Sequence, residues 1–265
     1  MRVLCLNTWG GRLHEALLDE LPRVEADLLC LQEVVHTPDS PSDWLEYRDG
    51  DSVLPQRARL FDEIAAVLPG YQGQFCAAAL GPLWWGAVPV MSQWGIATFV
   101  RRGLAVAGQV QEFIHKDFAA GDFGAHPRSR NAHGLRLWDA AAGQMRRVLH
   151  LHGLRDPMQG KVDTPERDAQ VQRVLALAAA LGPPSEPLLI CGDFNVEPGS
   201  RTFAALAAAG LQELVTGGGH PGTRTTQYAK PGRFADYAFV DRPVAGFRVL
   251  RDPEVSDHCP LVIDL

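Results

Sequence analysis

Two short strings near the C-terminus place acids beside an amide or an imidazole, at the border of an apolar run. Gly192-Asp193-Phe194-Asn195 follows the apolar run 187–191, and Ser256-Asp257-His258 precedes the apolar run 259–263. Charged and amide groups at the edge of a buried strand cost free energy unless they bind something. Such groups can hold a metal ion or move a proton. The strings therefore predict a functional site mounted where strands end.

Three further strings have the same form. The apolar run 3–6 leads into Asn7, the run 28–31 leads into Glu33, and the alternating run 147–151 leads into His152. Short apolar runs of this length are typical of buried β-strands. The chain therefore presents five strands that begin or end at residues able to do chemistry.

In order and spacing, the five strings resemble the motifs of the endonuclease/exonuclease/phosphatase superfamily, the deoxyribonuclease I-like phosphoesterases. The resemblance extends from Asn7 to His258, and a sixth element, residues 234–240, is similar to the Asp-Tyr segment of the family and contains Asp236. The resemblance implies an α/β fold: a four-layered α/β/β/α sandwich of two mixed β-sheets flanked by helices. It also implies a metal-dependent hydrolase of phosphate esters.

Hydrolysis of a phosphate ester needs a cation on the phosphoryl oxygens, a base near the attacking water and assistance to the leaving oxygen. The resemblance makes Glu33 the best candidate for a metal ligand, together with Asn7 and Asp257. Hard oxygen donors in small number suit magnesium better than zinc. We therefore expect Mg²⁺ as the cofactor, with Mn²⁺ as a possible substitute.

The resemblance also assigns roles in catalysis. Asp193 would position or deprotonate the water, and Asn195 would steady the water or the phosphoryl oxygens. His258 would act as a base or a charged donor, with Asp236 holding its tautomer. His152 would stabilise or protonate the leaving oxygen from the other side. Which histidine carries which proton is left open.

Each residue taken alone also has a structural interpretation. Asn195 precedes a turn-like segment and could cap a helix. Glu33 could be a solvated strand end, and His152 could be a core histidine bonded to a carbonyl group. Their joint occurrence in family order favours the site. His150, two positions before His152 on the same strand face, is predicted to pack or to support the site.

Charge limits the class of substrate. A net charge of -6 disfavours a protein that grips long duplex DNA, which usually requires a basic face. The charge is uneven, because residues 101–173 hold twelve Lys or Arg and eight Asp or Glu. Arg128, Arg130 and Arg155 are therefore candidate substrate-binding residues, although solvated strand faces would give the same pattern.

Two enzymatic functions remain open. The first is hydrolysis of a phosphodiester in short or single-stranded nucleic acid, by endonuclease or exonuclease action, and the breadth of this activity in the family favours it. The second is a phosphatase or phosphodiesterase for a small-molecule or lipid-linked phosphate, similar to sphingomyelinases or inositol phosphatases. A non-catalytic binding module is disfavoured, since the metal and water-positioning residues are all present.

Length and composition indicate the size of the core and the number of domains. A chain of 265 residues with 46% hydrophobic residues can bury a full core. Because motifs from both ends must converge on one site, we expect a single domain over residues 1–265. No run approaches the roughly 18 apolar residues of a membrane span, and the first strand leaves no room for a signal peptide. We therefore expect a cytoplasmic protein without an obligate protein partner and, with five cysteines, without a disulfide framework.

The remaining segments are assigned by periodicity and by turn residues. Helices are predicted at residues 15–21, 58–68, 166–181 and 202–209, with consecutive strands over residues 93–152. Residues 38–55, 117–127 and 217–232 are predicted as long loops. An ordered loop is also predicted at residues 81–89, where Trp84 and Trp85 and the nearby Trp94 are expected to pack rather than to bind bases or lipid.

Overall fold

The structure, a computed structural model, describes residues 1–50 and 52–265. Asp51, inside the predicted loop 38–55, lies outside the described residues. Within the described part, two mixed β-sheets lie face to face, and α-helices cover their outer faces. This is the four-layered α/β/β/α sandwich that the sequence resemblance implied.

The larger sheet contains strands from both ends of the chain. Its strands are β1 (Arg2–Asn7), β2 (Leu28–His36), β3 (Trp44–Asp49), β4 (Ser52–Arg57), β5 (Tyr71–Trp85), β6 (Val88–Arg101), β13 (Gly246–Val249) and β14 (Leu261–Asp264). They are arranged in the order β13-β14-β1-β2-β6-β5-β3-β4. Strands β1 and β2 are parallel neighbours, so their C-terminal ends meet at the same edge.

The smaller sheet comes from the middle and the C-terminal part of the chain. Its strands are β7 (Ala105–His115), β8 (Arg130–Asp139), β9 (Gln144–His152), β10 (Leu188–Asp193), β11 (Gln212–Glu213) and β12 (Asp236–Val240). Their order is β11-β12-β10-β9-β8-β7. The predicted run of strands over residues 93–152 is confirmed by β6 to β9.

The helices lie close to their predicted positions. They are α1 (His14–Arg23), α2 (Leu60–Val67), α3 (Pro165–Leu181) and α4 (Arg201–Ala208). Apolar residues of α1 and α2 pack on the larger sheet, and those of α3 and α4 pack on the smaller sheet. Thr164 caps α3 through a hydrogen bond from the amide of Arg167, and Pro165 occupies the first turn, where its missing N–H costs nothing.

Both faces of the central strands are buried. In β1, Val3 and Cys5 pack in the core between the sheets, whereas Leu4 and Leu6 pack against the layer of α1 and α2. Successive strand residues point to opposite faces, so a strand covered on both sides reads as a continuous apolar run. Polar residues that interrupt such a run stand out for this reason.

A polar contact crosses the core between the sheets. The hydroxyl of Thr98 in β6 lies 2.7 Å from Nδ1 of His133 and 2.7 Å from Nε2 of His150. One hydroxyl carries one proton, so it donates to one ring and accepts from the other. Burial lowers the pKa of His133 to about 4 and lowers that of His150 as well. The prediction that His150 packs rather than reacts agrees with this position.

The prediction of a loop at residues 81–89 is wrong. Strands β5 and β6 form a long hairpin that pairs as far as Trp85 and Val88, with Gly86 at φ 59° in the two-residue connection. Gly81 is required by packing, because a Cβ atom there would lie 2.6 Å from Phe123. The prediction that the tryptophans pack also fails for Trp85, whose surface is 51% exposed at the hairpin tip.

Two other expectations can be compared with the structure. The predicted loop 38–55 is wrong in part, because β3 and β4 form a hairpin within it. All five cysteines are buried and free. None of the helices in residues 1–50 and 52–265 has the length and apolar character needed to cross a bilayer.

Candidate active site

Strand pairing places three of the predicted residues in one row at the edge of the smaller sheet. His152 lies beside Asp193 in the parallel pair β9 and β10, and Asp193 lies beside Asp236 in the antiparallel pair β10 and β12. All three side chains are buried. The register of three strands therefore brings together residues that are far apart in the sequence.

The larger sheet contributes Asn7 and Glu33. The pairing of β2 with β6 shifts beside Glu33, which adopts φ 55°. A bulge of this kind re-aims a side chain, and a positive φ at a residue other than glycine costs free energy that functional sites often contain. Nδ2 of Asn7 donates to Oδ2 of Asp193 at 3.0 Å and so connects the two sheets at the site.

Asp236 and His258 form a buried pair. Both carboxylate oxygens of Asp236 lie 2.8 Å from Nδ1 of His258. Burial lowers the pKa of His258, and the charge of Arg224 lowers it further, while burial raises the pKa of Asp236. Nη1 of Arg224, which can only donate, contacts Nε2 of His258, so the lone pair lies on Nε2 and the proton on Nδ1. That Nε2 atom lies 3.8 Å from Oδ2 of Asp193.

His152 lies on the other side of Asp193. Its Nε2 atom is 3.7 Å from Oδ2 of Asp193 and 3.8 Å from Oε1 of Glu33. Neither ring nitrogen has a hydrogen-bond partner in the part of the chain that the structure describes. Burial, with the charge of Arg130, lowers the pKa of His152 well below its ordinary value. An unpartnered neutral imidazole is available to a ligand and suits hydrogen-bond donation better than proton transfer.

Asn195 orients Asp193 rather than standing apart from it. Its backbone amide donates to Oδ1 of Asp193 at 3.0 Å, and its Nδ2 donates to the carbonyl of Gly153 at 3.3 Å. The residue adopts φ 53°, which asparagine tolerates better than most residues. Gly153 has no room for a side chain, because a Cβ atom would lie 2.4 Å from the carbonyl oxygen of Phe194.

The acidic side of the site fits a divalent cation. Ligand atoms of Glu33, His152 and Asp193 lie within 4.8 Å of one another. Burial raises the pKa of Glu33. A hydrogen bond from Asn7 lowers this pKa, and the negative charge of Asp193 raises it further. Burial also raises the pKa of Asp257, whose Oδ1 lacks a hydrogen-bond partner among the described residues. Carboxylates in this condition are stabilised by a bound cation.

The predicted arginines differ in position. Arg130 is buried with its guanidinium 5.1 Å from the Trp94 ring, which in turn lies 5.2 Å from His152. Arg155 is exposed and close enough for its charge to lower the pKa of His152. Arg128 instead donates to the hydroxyl of Tyr47 at 2.5 Å.

Most other basic residues near His152 in the sequence do not gather at the site. Arg136 bonds Glu186 at 2.8 Å, and Arg146 bonds Asp139 at 2.6 Å. Arg147 donates to the carbonyl of Glu186 at 2.7 Å. These guanidinium groups satisfy structural acceptors, so the basic stretch of the sequence is not one patch in space.

One residue of the site had no signal in the sequence. Arg224 is buried, and its Nη1 donates to Oδ2 of Asp257 at 2.8 Å and also contacts Nε2 of His258. It lies in the predicted loop 217–232, where no motif or periodicity singles it out.

An open groove of about 670 Å³ adjoins the site. It is formed by the loops after β9 and β10 and the loop before β12, with Lys161, Glu197, Tyr228 and Lys230 in its lining. Nζ of Lys161 lies 3.3 Å from Oε1 of Glu197. The Tyr228 ring lies 4.2 Å from the guanidinium of Arg224, so the groove reaches the residues around His258.

The sequence matches the model of the endonuclease/exonuclease/phosphatase family over residues 4–258. The chain belongs to this family. The match includes Asn7, Glu33, Asp236 and His258. Members of the endonuclease/exonuclease/phosphatase family are phosphoric ester hydrolases that generally depend on divalent metals, and this protein is therefore a phosphoric ester hydrolase.

Solved structures of the family are similar over almost the whole chain. Mannosyl-6-phosphatase from Bacteroides thetaiotaomicron has a TM-score of 0.69 at 15% identity and covers 100% of this chain and 98% of its own. The human Nocturnin catalytic domain with bound sulfate has a TM-score of 0.65 at 21% identity, covering 99% and 92%. TDP2 of D. rerio, humanized by 14 mutations, has a TM-score of 0.60 at 16% identity, covering 99% and 97%. Comparison with curated protein sequences gives no significant match.

Proposed function

We propose that this phosphoric ester hydrolase is a Mg²⁺-dependent phosphodiesterase acting on short or single-stranded nucleic acid. The observation that carries the proposal is the position of Asp193 between two imidazoles. Its Oδ2 lies 3.7 Å from Nε2 of His152 and 3.8 Å from Nε2 of His258. A phosphoryl group bound there would meet an acid that orients water and a histidine on each side.

Glu33 and Asn7 would hold the metal ion, with Asp257 offering its unpartnered Oδ1. These are hard oxygen donors, which supports magnesium or manganese. When bound, the cation neutralises charge on the phosphoryl oxygens and so lowers the barrier to attack by an anionic or neutral oxygen nucleophile.

The side chains of the protein perform the remaining steps. Asp193, fixed by hydrogen bonds from Asn7 and Asn195, orients the attacking water and accepts its proton. His258, with its tautomer set by Asp236, presents the lone pair of Nε2, which can accept a hydrogen bond from the attacking water. His152 donates a hydrogen bond to the leaving oxygen, which suits a neutral imidazole without a protein partner.

The groove beside the site supports a chain-like substrate. Tyr228 in its lining offers a ring on which a base can stack, and Lys230 offers a cation for a phosphate, whereas Lys161 is paired with Glu197. The net charge of -6 favours short or single strands over long duplexes.

A second candidate function is hydrolysis of a small phosphate ester. The acidic net charge favours it, as does the structural similarity to a mannosyl-6-phosphatase. A substrate with a lipid-linked phosphate belongs to the same alternative. A binding module without catalysis is disfavoured by the assembled Asp193, Asp236 and His258.

A pair of chromogenic esters tests the choice between these functions. We expect kcat/KM with Mg²⁺ to be higher for the diester bis-p-nitrophenyl phosphate than for the monoester p-nitrophenyl phosphate. The variant His258→Ala is the control for contaminating enzymes. A preference for the monoester that depends on His258 would support the phosphatase and contradict the phosphodiesterase.

A further inference from the structure

Arg224 is held at the site by backbone bonds on both sides. The amide of Thr225 donates to the carbonyl of Asp257 at 3.1 Å, and the amide of Cys259 donates to the carbonyl of Thr223 at 2.7 Å. Arg224 itself forms an isolated antiparallel bridge with His258. The segment before β12 is therefore fixed in register against the segment that carries Asp257 and His258.

The guanidinium of Arg224 has a mixed set of partners. Nη1 donates to Asp257 and contacts the lone-pair nitrogen of His258, while Nε is buried with no hydrogen-bond partner in the described part of the chain. The Tyr228 ring supports the group at 4.2 Å. A guanidinium has five N–H donors in a planar fork, which matches phosphate oxygens. The contacts inside the protein leave part of that capacity unused.

The charges around Arg224 favour a positive group at this place. Glu33, Asp193, Asp236 and Asp257 bring four carboxylates to the site, and an uncompensated set would repel a phosphate ester. Although burial lowers the pKa of Arg224, the charges of Asp193, Asp236 and Asp257 outweigh this and raise it. The arginine is therefore a permanent cation in contact with the imidazole that faces the reaction.

We propose that Arg224 is a catalytic residue that binds a phosphoryl oxygen of the substrate beside His258, and this inference rests on the proposed phosphoesterase function. In the free enzyme, Nη1 of Arg224 covers Nε2 of His258. When the substrate binds, its phosphoryl oxygen accepts the hydrogen bond that Nη1 of Arg224 had donated to Nε2 of His258. The bond to Asp257 is kept and holds the guanidinium in place. Nε2 of His258 is then free to accept a hydrogen bond from the attacking water. A purely structural arginine would only anchor the segment before β12 to Asp257.

The variant Arg224→Ala separates these two roles. We expect kcat/KM to fall about 10²- to 10³-fold, as for the loss of a charge-stabilising donor. Added guanidinium ion should restore part of the activity, and the inhibition constant of inorganic phosphate should rise at least about tenfold. Arg146→Gln is the matched control, because Arg146 is also buried and paired with an aspartate, Asp139, but lies outside the site. Arg146→Gln should leave kcat/KM and the inhibition constant of inorganic phosphate unchanged.

The variant Arg224→Lys provides a second test in case Arg224→Ala does not fold. It keeps the charge and a bond to Asp257 but lacks the planar fork, so we expect an unchanged Tm with a lowered kcat/KM. If Arg224→Lys and Arg224→Ala fold and both keep the kcat/KM and the phosphate inhibition of the wild type, Arg224 is a structural anchor and the inference is wrong.

A binding measurement separates this inference from the proposed function. With Mg²⁺ present, inorganic phosphate should raise the Tm of the wild type and of Arg146→Gln, but not that of Arg224→Ala. If the wild type hydrolyses no phosphate ester, the proposed function fails whatever the variants bind. If phosphate stabilises Arg224→Ala as much as the wild type, the role of Arg224 fails even though the enzyme is active.

Discussion

Asp236 and His258 come from different sheets, and their hydrogen bond joins the two halves of the sandwich. Asp236 begins β12 of the smaller sheet, and His258 precedes β14 of the larger sheet, yet both carboxylate oxygens lie 2.8 Å from Nδ1 of the imidazole. The working tautomer of His258 therefore depends on how the sheets are packed together. An ionised carboxylate can only accept and Nη1 of Arg224 can only donate to Nε2, so together they select the form with the proton on Nδ1.

Replacing this acceptor tests its role. In Asp236→Asn, the amide can donate to Nδ1 and so favour the opposite tautomer, as in other histidine-dependent hydrolases. We expect kcat to fall about 10²- to 10⁴-fold with little change in KM. Asp241→Asn, beyond the other end of β12, is the matched control. Steady-state kinetics that give Asp236→Asn and Asp241→Asn the same kcat would remove Asp236 from the mechanism.

The metal assignment is tested at Glu33. Glu33→Gln removes one anionic ligand while keeping the shape of the side chain, so we expect the Mg²⁺ concentration for half-maximal rate to rise at least about tenfold. Calorimetry in the absence of substrate should show that Glu33→Gln also binds Mn²⁺ more weakly than the wild type. Glu186→Gln, which affects an acid paired with Arg136, should behave like the wild type. Identical metal titrations for both variants would show that Glu33 is not a ligand.

The buried histidines between the sheets predict a pH dependence of stability. Their folded pKa values lie below the ordinary value of about 6.5, with that of His133 lowered to about 4 by burial. Below pH 6.5, the unfolded chain binds protons that the folded protein does not. The free energy of unfolding should therefore be highest above pH 6.5 and fall towards pH 4, by up to about 1.4 kcal/mol per pH unit for each histidine.

Urea unfolding between pH 4 and pH 8 measures this dependence. His133→Gln keeps a polar partner for Thr98 but cannot titrate, so its stability should fall less steeply with acid than that of the wild type. Equal slopes for the two proteins would mean that His133 is already protonated in the folded state or plays no part in acid unfolding.

The residues of the candidate site could be named from the sequence because their signal is local. Asn7, His152 and Asp193 each stand where a buried strand ends, and a polar residue in that place is visible against the apolar run before it. The family order of the motifs then indicated which strand ends belong together. The register of β9, β10 and β12 supplied the distances between them.

Arg224 could not be predicted, because its proposed role depends on a contact between separate segments. It lies 34 residues before His258, in a stretch rich in glycine that contacts the segment of His258 through an isolated bridge. Arg147 shows the converse, because it is close to His152 in the sequence but not in space. Five residues along an extended strand span about 17 Å, so Arg147 reaches the far end of the sheet.

The hairpin of β5 and β6 was missed because its composition suggests a loop. Pro82 and Pro89 remove backbone donors, and Gly81 weakens strand propensity. The strands still pair because each has a long partner, and because Gly81 lets Phe123 pack directly on the backbone. These are tertiary contacts, which overrule local preference.

The most direct test of the central claim is a time course with an end-labelled oligonucleotide, single-stranded and double-stranded in parallel, with and without Mg²⁺. The proposed function predicts Mg²⁺-dependent cleavage, faster for the single strand, that is lost in His258→Ala and in Asp193→Asn. Cleavage that persists in both variants would come from a contaminating nuclease. The absence of cleavage by folded wild-type protein would contradict nucleic acid as the substrate and leave the small phosphate esters.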